Sequence, residues 1–327
     1  MENLFEISPD KLPMTLKSFQ KIAKSRGWQS ASLIRGKESY IFATRPDGKK
    51  LRFLSGAAPG TSYFSGILAD DKLASFYIFK DLGIPQPDTV VLTSENQSDE
   101  IARLLKQHSS IVIKPSDGGH GNDVFVSITD AEKAAAIVGD VRSRNPGSAI
   151  LAQQQLANDT PELRVICIDY HFVVALARIP ARVTGDGEHT VSELIDLENS
   201  TIRTAPYQSN LAFIDKEMSK DYIEKHYKKD YIPAADEKVQ VVGMCNIGRG
   251  GTVEDVSANF DSAKRAIAEK IARAFQLPII GIDFLGEYVL EVNSTPSLYY
   301  PTGDESSSLC VTKWLEYLEQ LDLPLPS

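Results

Sequence analysis

Two stretches of the chain place residues suited to phosphate and metal chemistry at regular spacing. The first is Ile111-Val-Ile-Lys-Pro-Ser-Asp-Gly-Gly-His-Gly-Asn-Asp-Val124. An apolar strand ends in Lys114, a loop follows with Gly118, Gly119 and Gly121, and a second strand resumes. Glycines let the backbone approach a ligand closely, successive N–H groups can cradle a phosphate, and the lysine supplies a cation. The same residues also read as an ordinary glycine-rich hairpin. No Gly-Lys-Ser/Thr closes the loop, so it is not a Walker P-loop. A strand follows where a helix should, so it is not a dinucleotide fingerprint.

The second stretch is Gly281-Ile-Asp-Phe-Leu-Gly-Glu-Tyr-Val-Leu-Glu-Val-Asn293. A period of two places Glu291 and Asn293 on one face of a strand, and a tight hairpin at Gly286-Glu287 brings Asp283 beside them. Two carboxylates and an amide suit a hard cation, Mg2+ or Mn2+. Alternation alone also describes a solvated sheet face. Together the two stretches meet the needs of phosphoryl transfer from ATP, which takes a divalent ion and fixed cations. Lys72, Lys114, Arg164 and Arg178 are the candidate cations, although each taken singly reads as a surface charge.

These side chains must be positioned by regular elements. Apolar spacing predicts helices over Thr15–Lys24, Asp71–Leu82, Ser94–His108, Asp130–Asp140, Thr190–Leu197, Asp215–Lys228, Ser262–Phe275 and Val311–Leu321. Strands are expected at Ala31–Ile34, Tyr40–Thr44, Leu51–Leu54, Thr89–Leu92, Ile111–Lys114, Val124–Ser127 and Ala149–Ala152. Leu163–Asp169 and Phe172–Ala177 should pair across Tyr170-His171, and Ile279–Phe284 should pair with Tyr288–Val292. Gly56–Ser65 reads as a linker or binding loop, and Ile202–Asn210 as irregular. The pattern is an α+β class with helices around mixed sheets.

Composition sets the outer bounds. The chain has 327 residues, 42% hydrophobic and 24% charged, ordinary values for a folded protein. Its net charge of −9, from 35 Lys+Arg against 44 Asp+Glu, argues against a nucleic-acid partner. Cys167, Cys245 and Cys310 are scattered and suit a reducing compartment. The N-terminus lacks a secretory pattern, and the longest apolar runs reach about a third of a membrane span. A cytoplasmic protein with no membrane partner is expected. His108, His171, His189 and His226 are isolated and read as surface or structural residues. No hydrolase triad or zinc motif is found.

At this point the residues resemble a known family. Asp71-Lys72, Val112-Ile-Lys-Pro115 with its glycine loop, and Asp283…Glu291-Val-Asn293 look like the ATP-grasp superfamily, in this order. Arg178-Ile-Pro-Ala-Arg-Val-Thr-Gly-Asp-Gly-Glu-His-Thr-Val-Ser-Glu-Leu-Ile195 and Asn246…Gly250-Gly-Thr-Val-Glu-Asp-Val256 resemble the ATP-grasp module of cyanophycin synthetase and of bifunctional glutathione synthetase. The resemblance covers about Asp71 to Leu321. It implies an ATP-grasp fold, two α+β subdomains clasping ATP, with residues 71–156 as the small or lid subdomain and 157–327 as the catalytic one. Residues 1–70 form an unrecognised N-terminal region on the substrate side.

The resemblance also implies roles. Lys72 and Lys114 contact ATP phosphates, and Gly118, Gly119, His120 and Gly121 form the lid. Gln153, Gln154, Gln155 and Leu156 form the adenine hinge, and Glu162 takes the ribose. Arg164 and Arg178 face the phosphates and a developing acyl phosphate. Asp283, Glu291 and Asn293 hold the metal ions. Asn246, Gly250 and Gly251 lie near the carboxylate substrate. The sequence departs from the pattern at Gln153, where a glutamate is usual, and at Arg182 and Arg249. The two arginines imply an anionic substrate, though both also read as surface cations.

The implied activity is ATP-dependent ligation of an amino acid or short peptide carboxylate to an amine, with ATP and Mg2+ or Mn2+ as cofactors. A homodimer is the expected assembly. The alternatives are a ligase for a larger peptide or protein terminus and a non-catalytic nucleotide-binding regulatory module. Asp283→Asn is expected to abolish turnover and leave the fold intact.

Overall fold

The computed structural model describes residues 12–35, 38–117, 123–157, 160–204, 213–243, 250–300 and 305–322. Its first elements are α1 (Met14–Ser25), β1 (Gln29–Arg35), β2 (Glu38–Thr44) and β3 (Lys50–Leu54). The three strands form an antiparallel sheet in sequence order. Leu16, Phe19 and Ala23 recur every three or four residues along α1 and are buried as a stripe.

Next come α2 (Tyr63–Asp70) and α3 (Lys72–Asp81). The sequence reading placed a loop to Ser65, but α2 already begins at Tyr63. The helix escapes pattern reading because it buries only Ser65 and Ala69 among its side chains. Small residues let it lie close to the sheet, and a Cβ on Gly66 would stand 4.0 Å from the Ser294 hydroxyl.

The second unit is β4 (Thr89–Leu92), α4 (Gln97–His108), β5 (Ile111–Pro115), β6 (Phe125–Ile128), α5 (Ala131–Arg144) and β7 (Ile150–Gln154). Its antiparallel sheet runs β4-β7-β5-β6, so the last strand inserts in the middle. Ile101 and Leu104 of α4 and Val138 of α5 pack with Ile111, Ile113 and Ala152.

The third unit begins with β8 (Glu162–Ile168), β9 (His171–Ile179), β10 (Arg182–Thr184), α6 (Val191–Thr204), α7 (Lys216–His226) and β11 (Lys238–Gln240). It ends with β12 (Thr252–Asp255), α8 (Ser262–Ala274), β13 (Ile279–Leu285), β14 (Tyr288–Asn293) and α9 (Leu309–Gln320). Its main sheet runs β12-β9-β8-β13-β14, and β10 pairs with β11 apart from it. The β8–β9 turn is Asp169-Tyr170, one residue earlier than expected, because Ile168 pairs with His171. Both turn residues have positive φ, 54° and 63°, as a tight hairpin of this hand requires.

Helix α6 runs on past the expected end at Leu197 to Thr204, where an irregular segment was expected. The Asn199 side chain explains part of the extension. It donates to the Ile214 carbonyl at 3.1 Å and accepts from the Ile214 N–H at 2.9 Å, a tertiary clamp that helical periodicity does not reveal.

The main sheet is covered on both faces. On one, Val165, Ile280, Ile282 and Phe284 pack under α8 and Phe79 of α3. On the other, Ile166, Leu176 and Ile279 share a core with Leu16, Phe19 and Phe53 of the N-terminal unit and Trp314 of α9. At the far end of that second face the apolar rows give way to charge, and the site lies there.

Candidate active site

Strand register assembles a charged row across the main sheet. Arg178 on β9 faces Glu162 on β8, and Arg164 on β8 faces Asp283 on β13. Asp283 in turn faces Glu291 on β14, and Asn293 faces Gly281. The absence of a side chain at Gly281 makes room for this row. A Cβ there would stand 2.9 Å from Pro296 Cβ and 3.3 Å from Arg164 Cδ.

Asp283 is 2% exposed and Arg164 9% exposed. Arg164 donates to Asp283 through Nε and through Nη2, the latter at 2.7 Å, in a two-pronged pair. Arg178 Nη1 lies 3.4 Å from Asp283 and donates to Glu162 at 2.5 Å. Burial by itself would raise the Asp283 carboxyl, but Arg164, then Arg178, overcome it and hold it below its ordinary range. Burial raises Glu162, against the pull of Arg178.

The second group of cations comes from α3 and from β5. Asp71 caps α3 by accepting from the N–H groups of Leu73 and Ala74 at 2.8 and 3.2 Å. This fixes Lys72 as the first helical residue, whose own N–H reaches the Ser116 carbonyl at 2.9 Å. Lys72 Nζ then stands 3.7 Å from Glu291 of β14. Lys114 donates to Gln153 Oε1 at 3.0 Å, and Gln153 donates onward to Thr89 Oγ1 at 2.8 Å. Burial lowers Lys114 to about 8 against the opposing charge of Glu291, because its direct partner is neutral. Lys72, Lys114 and Gln153 line one cleft with Phe76, Gln86 and Leu290.

Gln153 and Gln154 close β7, and the chain leaves the four-stranded sheet at Gln155. The Gln154 N–H is bonded to the Asp88 carbonyl at 2.8 Å and that of Gln155 to the Ser110 carbonyl at 3.2 Å. The Gln155 side chain accepts from the Ser127 N–H. Leu156 is half-buried beside Gln155, in a hollow with Ser127 and Thr129.

On the acceptor side, Gly250 and Gly251 lead into β12, whose Val253 faces Arg178. Gly250 has φ of 90°, and a Cβ there would stand 2.8 Å from Ile214 Cγ1, so this turn admits only glycine. Arg182 is exposed on β10 opposite Gln240 and takes no part in the charged row. Gly118, Gly119, His120, Gly121, Asn246 and Arg249 lie outside the described residues.

Asp283, Glu291 and Asn293 share one face, as the period of two requires. Among the described residues no group of three His, Cys, Asp or Glu side chains forms a metal cluster. This set has two carboxylates and an amide. The Asn293 amide nitrogen is buried and has no hydrogen-bond partner. No hydrogen bond there fixes the amide orientation, which leaves it able to present its oxygen. The donors are all hard oxygens, which fit Mg2+ or Mn2+. An ion would share Asp283 with Arg164 and Arg178.

Sequence reasoning missed Thr89, Tyr300 and the pair Asp70–Ser294, in which the serine hydroxyl donates to Asp70 at 3.0 Å. No spacing signals any of them. Of the isolated histidines, His108 contacts Asp88 at 2.9 Å and His189 contacts Asp186 at 2.6 Å, both structural uses.

Lys114 on the four-stranded sheet, Lys72 on α3 and the carboxylates on the main sheet are arranged as in an ATP-grasp fold. Residues 75–191 match the family model for the prokaryotic glutathione synthetase ATP-grasp domain, and residues 242–304 match the RimK-like ATP-grasp domain. Among individual proteins, the chain is similar to cyanophycin synthetase of Synechocystis sp., 27% identical over 72% of this chain and 29% of that protein. It is also similar to the glutathione biosynthesis bifunctional protein GshAB of Clostridium perfringens, 25% identical over 79% of this chain and 35% of that protein. The crystal structure of a bifunctional glutathione synthetase from Pasteurella multocida superposes with a TM-score of 0.66 and 19% identity, over 96% of this chain and 44% of that one. The chain therefore spans about a third of the length of the curated relatives it matches.

Proposed function

We propose that this chain is a ligase that joins the carboxylate of an amino acid or short peptide to an amine, with conversion of ATP to ADP and phosphate. The observation that carries this reading is the meeting of two cation groups at one acidic face. Lys72 comes from α3 and Lys114 from β5, and Arg164 and Arg178 from the main sheet, around Asp283 and Glu291. Such a site suits a reaction in which a carboxylate attacks a polyanion.

The substrate carboxylate oxygen attacks the γ-phosphorus of ATP, and ADP leaves. The amine then attacks the acyl carbon of the resulting acyl phosphate, loses a proton, and phosphate departs with its electron pair. Lys72 and Lys114 neutralise the ATP phosphates. Arg164 and Arg178 turn part of their charge from Asp283 toward the transferring group, where fixed cations stabilise the transition state without reorganising water. Asp283, Glu291 and Asn293 would hold the divalent ion, which supplies charge neutralisation between the phosphates.

The N–H groups of Gln154 and Gln155 are engaged, so backbone recognition of adenine falls to Leu156 and Ala157. Glu162 takes the ribose with the oxygen that Arg178 leaves open. Gly118–Gly121 form the lid. Gly250, Gly251 and Asn246 border the carboxylate, with Arg182 and Arg249 selecting an anionic substrate. The reading includes a cytoplasmic homodimer with no nucleic-acid or membrane partner. Among the described residues no helix is long and apolar enough to cross a membrane.

The test is phosphate release from ATP and Mg2+ against a pooled amino-acid and dipeptide panel, with mass spectrometry of the products. Release that needs two substrates and yields a product one water lighter than their sum supports the reading. Silence across the panel with ATP bound would move the reading to a ligase for larger peptides.

A further inference from the structure

Past Asn293 the chain crosses the charged face and reaches Tyr300. This tyrosine is 4% exposed. Its ring belongs to the core shared by the N-terminal unit and α9. Its hydroxyl is buried and has no hydrogen-bond partner. That is an unusual state for a polar atom, because burying a hydroxyl without a partner costs about 1–3 kcal/mol.

The hydroxyl is near the charged row. It feels the charges of Arg164, Arg178 and Asp283. A second orphan donor belongs to the same row: Arg178 Nε is buried without a partner, while its Nη1 is committed to Glu162 and Asp283. Two buried donors, one of them on a guanidinium, thus stand unused within the field of a carboxylate that already has its counter-charges. Donors in that state suit an oxygen of an incoming anion. Burial raises the phenol to about 12, so at neutral pH it is a donor and adds no negative charge.

We propose that the Tyr300 hydroxyl, with Arg178 Nε–H, binds an oxygen of the acyl phosphate end of the substrate, which makes Tyr300 a substrate-anchoring residue of the active site. The inference rests on the ligase reading for the identity of the anion. It does not rest on it for the existence of the site.

The experiment is a thermal-shift titration of the full chain with acetyl phosphate, a small molecule that carries the carbonyl and phosphate oxygens of an acyl phosphate. Wild type is compared with Tyr300→Phe. In wild type, acetyl phosphate should raise the melting temperature in a saturable way. In Tyr300→Phe its apparent affinity should fall roughly tenfold, as for loss of one hydrogen bond to an anion. Without ligand, Tyr300→Phe should melt at or above the wild-type temperature, since an unsatisfied hydroxyl has been removed and no bond lost.

A wild type indifferent to acetyl phosphate would overturn the proposal. Equal affinity in both proteins would overturn it too. A lower melting temperature for unliganded Tyr300→Phe would assign the hydroxyl a structural partner and also overturn it. Acetyl phosphate binding that depends on Tyr300, with no two-substrate product in the panel assay, would sink the ligase reading and leave the anion site standing.

Discussion

Replacing Asp283 with Asn removes the charge that both Arg164 and Arg178 face. The sequence reading expected this variant to keep its fold, because it saw Asp283 as a metal ligand alone. The structure makes it also the counter-ion of buried arginines, and removing one partner of such a pair costs about 3–5 kcal/mol. Asp283→Asn should therefore lose phosphate release and also melt well below wild type in circular dichroism. A variant as stable as wild type would show that the arginines have other partners.

Lys114 gives a pH prediction. Its folded value of about 8 lies below its ordinary 10.5, so between these limits the unfolded chain binds more protons than the folded one. The stability contributed by this group should rise as pH climbs through that window. Nucleotide affinity should move the opposite way, because above about 8 the amine loses the charge that would meet a phosphate. Titrating ATP at pH 7 and pH 9 should show weaker binding at pH 9, and Lys114→Met should flatten the difference. An unaltered pH dependence in that variant would remove Lys114 from the effect.

At the scale of elements, the segment Ser294–Leu298 after β14 is held from several sides. Ser297 Oγ meets Thr15 Oγ1 of α1 at 3.2 Å, and Ser294 bonds Asp70 of α2. Gly56 abuts it as well: a Cβ there would stand 2.3 Å from the Pro296 carbonyl oxygen, and its φ is 79°. Gly56→Ala meets both a left-handed backbone and a backbone clash. Gly48→Ala meets only the first, since φ is 84° and nothing lies within 4 Å. The left-handed conformation costs about 1–2 kcal/mol in either variant. The clash should add about 1–3 kcal/mol to Gly56→Ala alone. Urea denaturation of both variants separates the two effects, and equal midpoints would show that the segment gives way without resistance.

At the scale of the molecule, the N-terminal unit is bound to the catalytic sheet through one core. Phe19 packs tilted and Phe53 edge-on against Trp314 of α9, with ring centroids 4.9 and 5.5 Å away. Arg26 reaches Glu319 of the same helix at 3.0 Å. Phe19→Ala should cost about 3–5 kcal/mol. It should also lower the melting midpoints seen by tryptophan fluorescence and by far-UV circular dichroism together. A loss confined to one probe would mean that the N-terminal unit melts on its own.

Local order was legible in the sequence. The alternation around Asp283, Glu291 and Asn293 gave the shared face, the helix expected over Asp71–Leu82 matches α3 to within a residue at each end, and apolar spacing gave most helices to within a few residues. These are properties of neighbouring residues, fixed by the backbone periods of strand and helix. Strand partnership is not such a property. Arg164 and Asp283 meet although they stand 119 positions apart in the chain, because β8 lies beside β13, a pairing decided by closure of long loops over a common core. The arginine clamp, the Lys114–Gln153–Thr89 chain and the unsatisfied Tyr300 hydroxyl exist only once such pairings are made. An unpaired donor means something only when water has been excluded, and exclusion of water is decided by the whole fold.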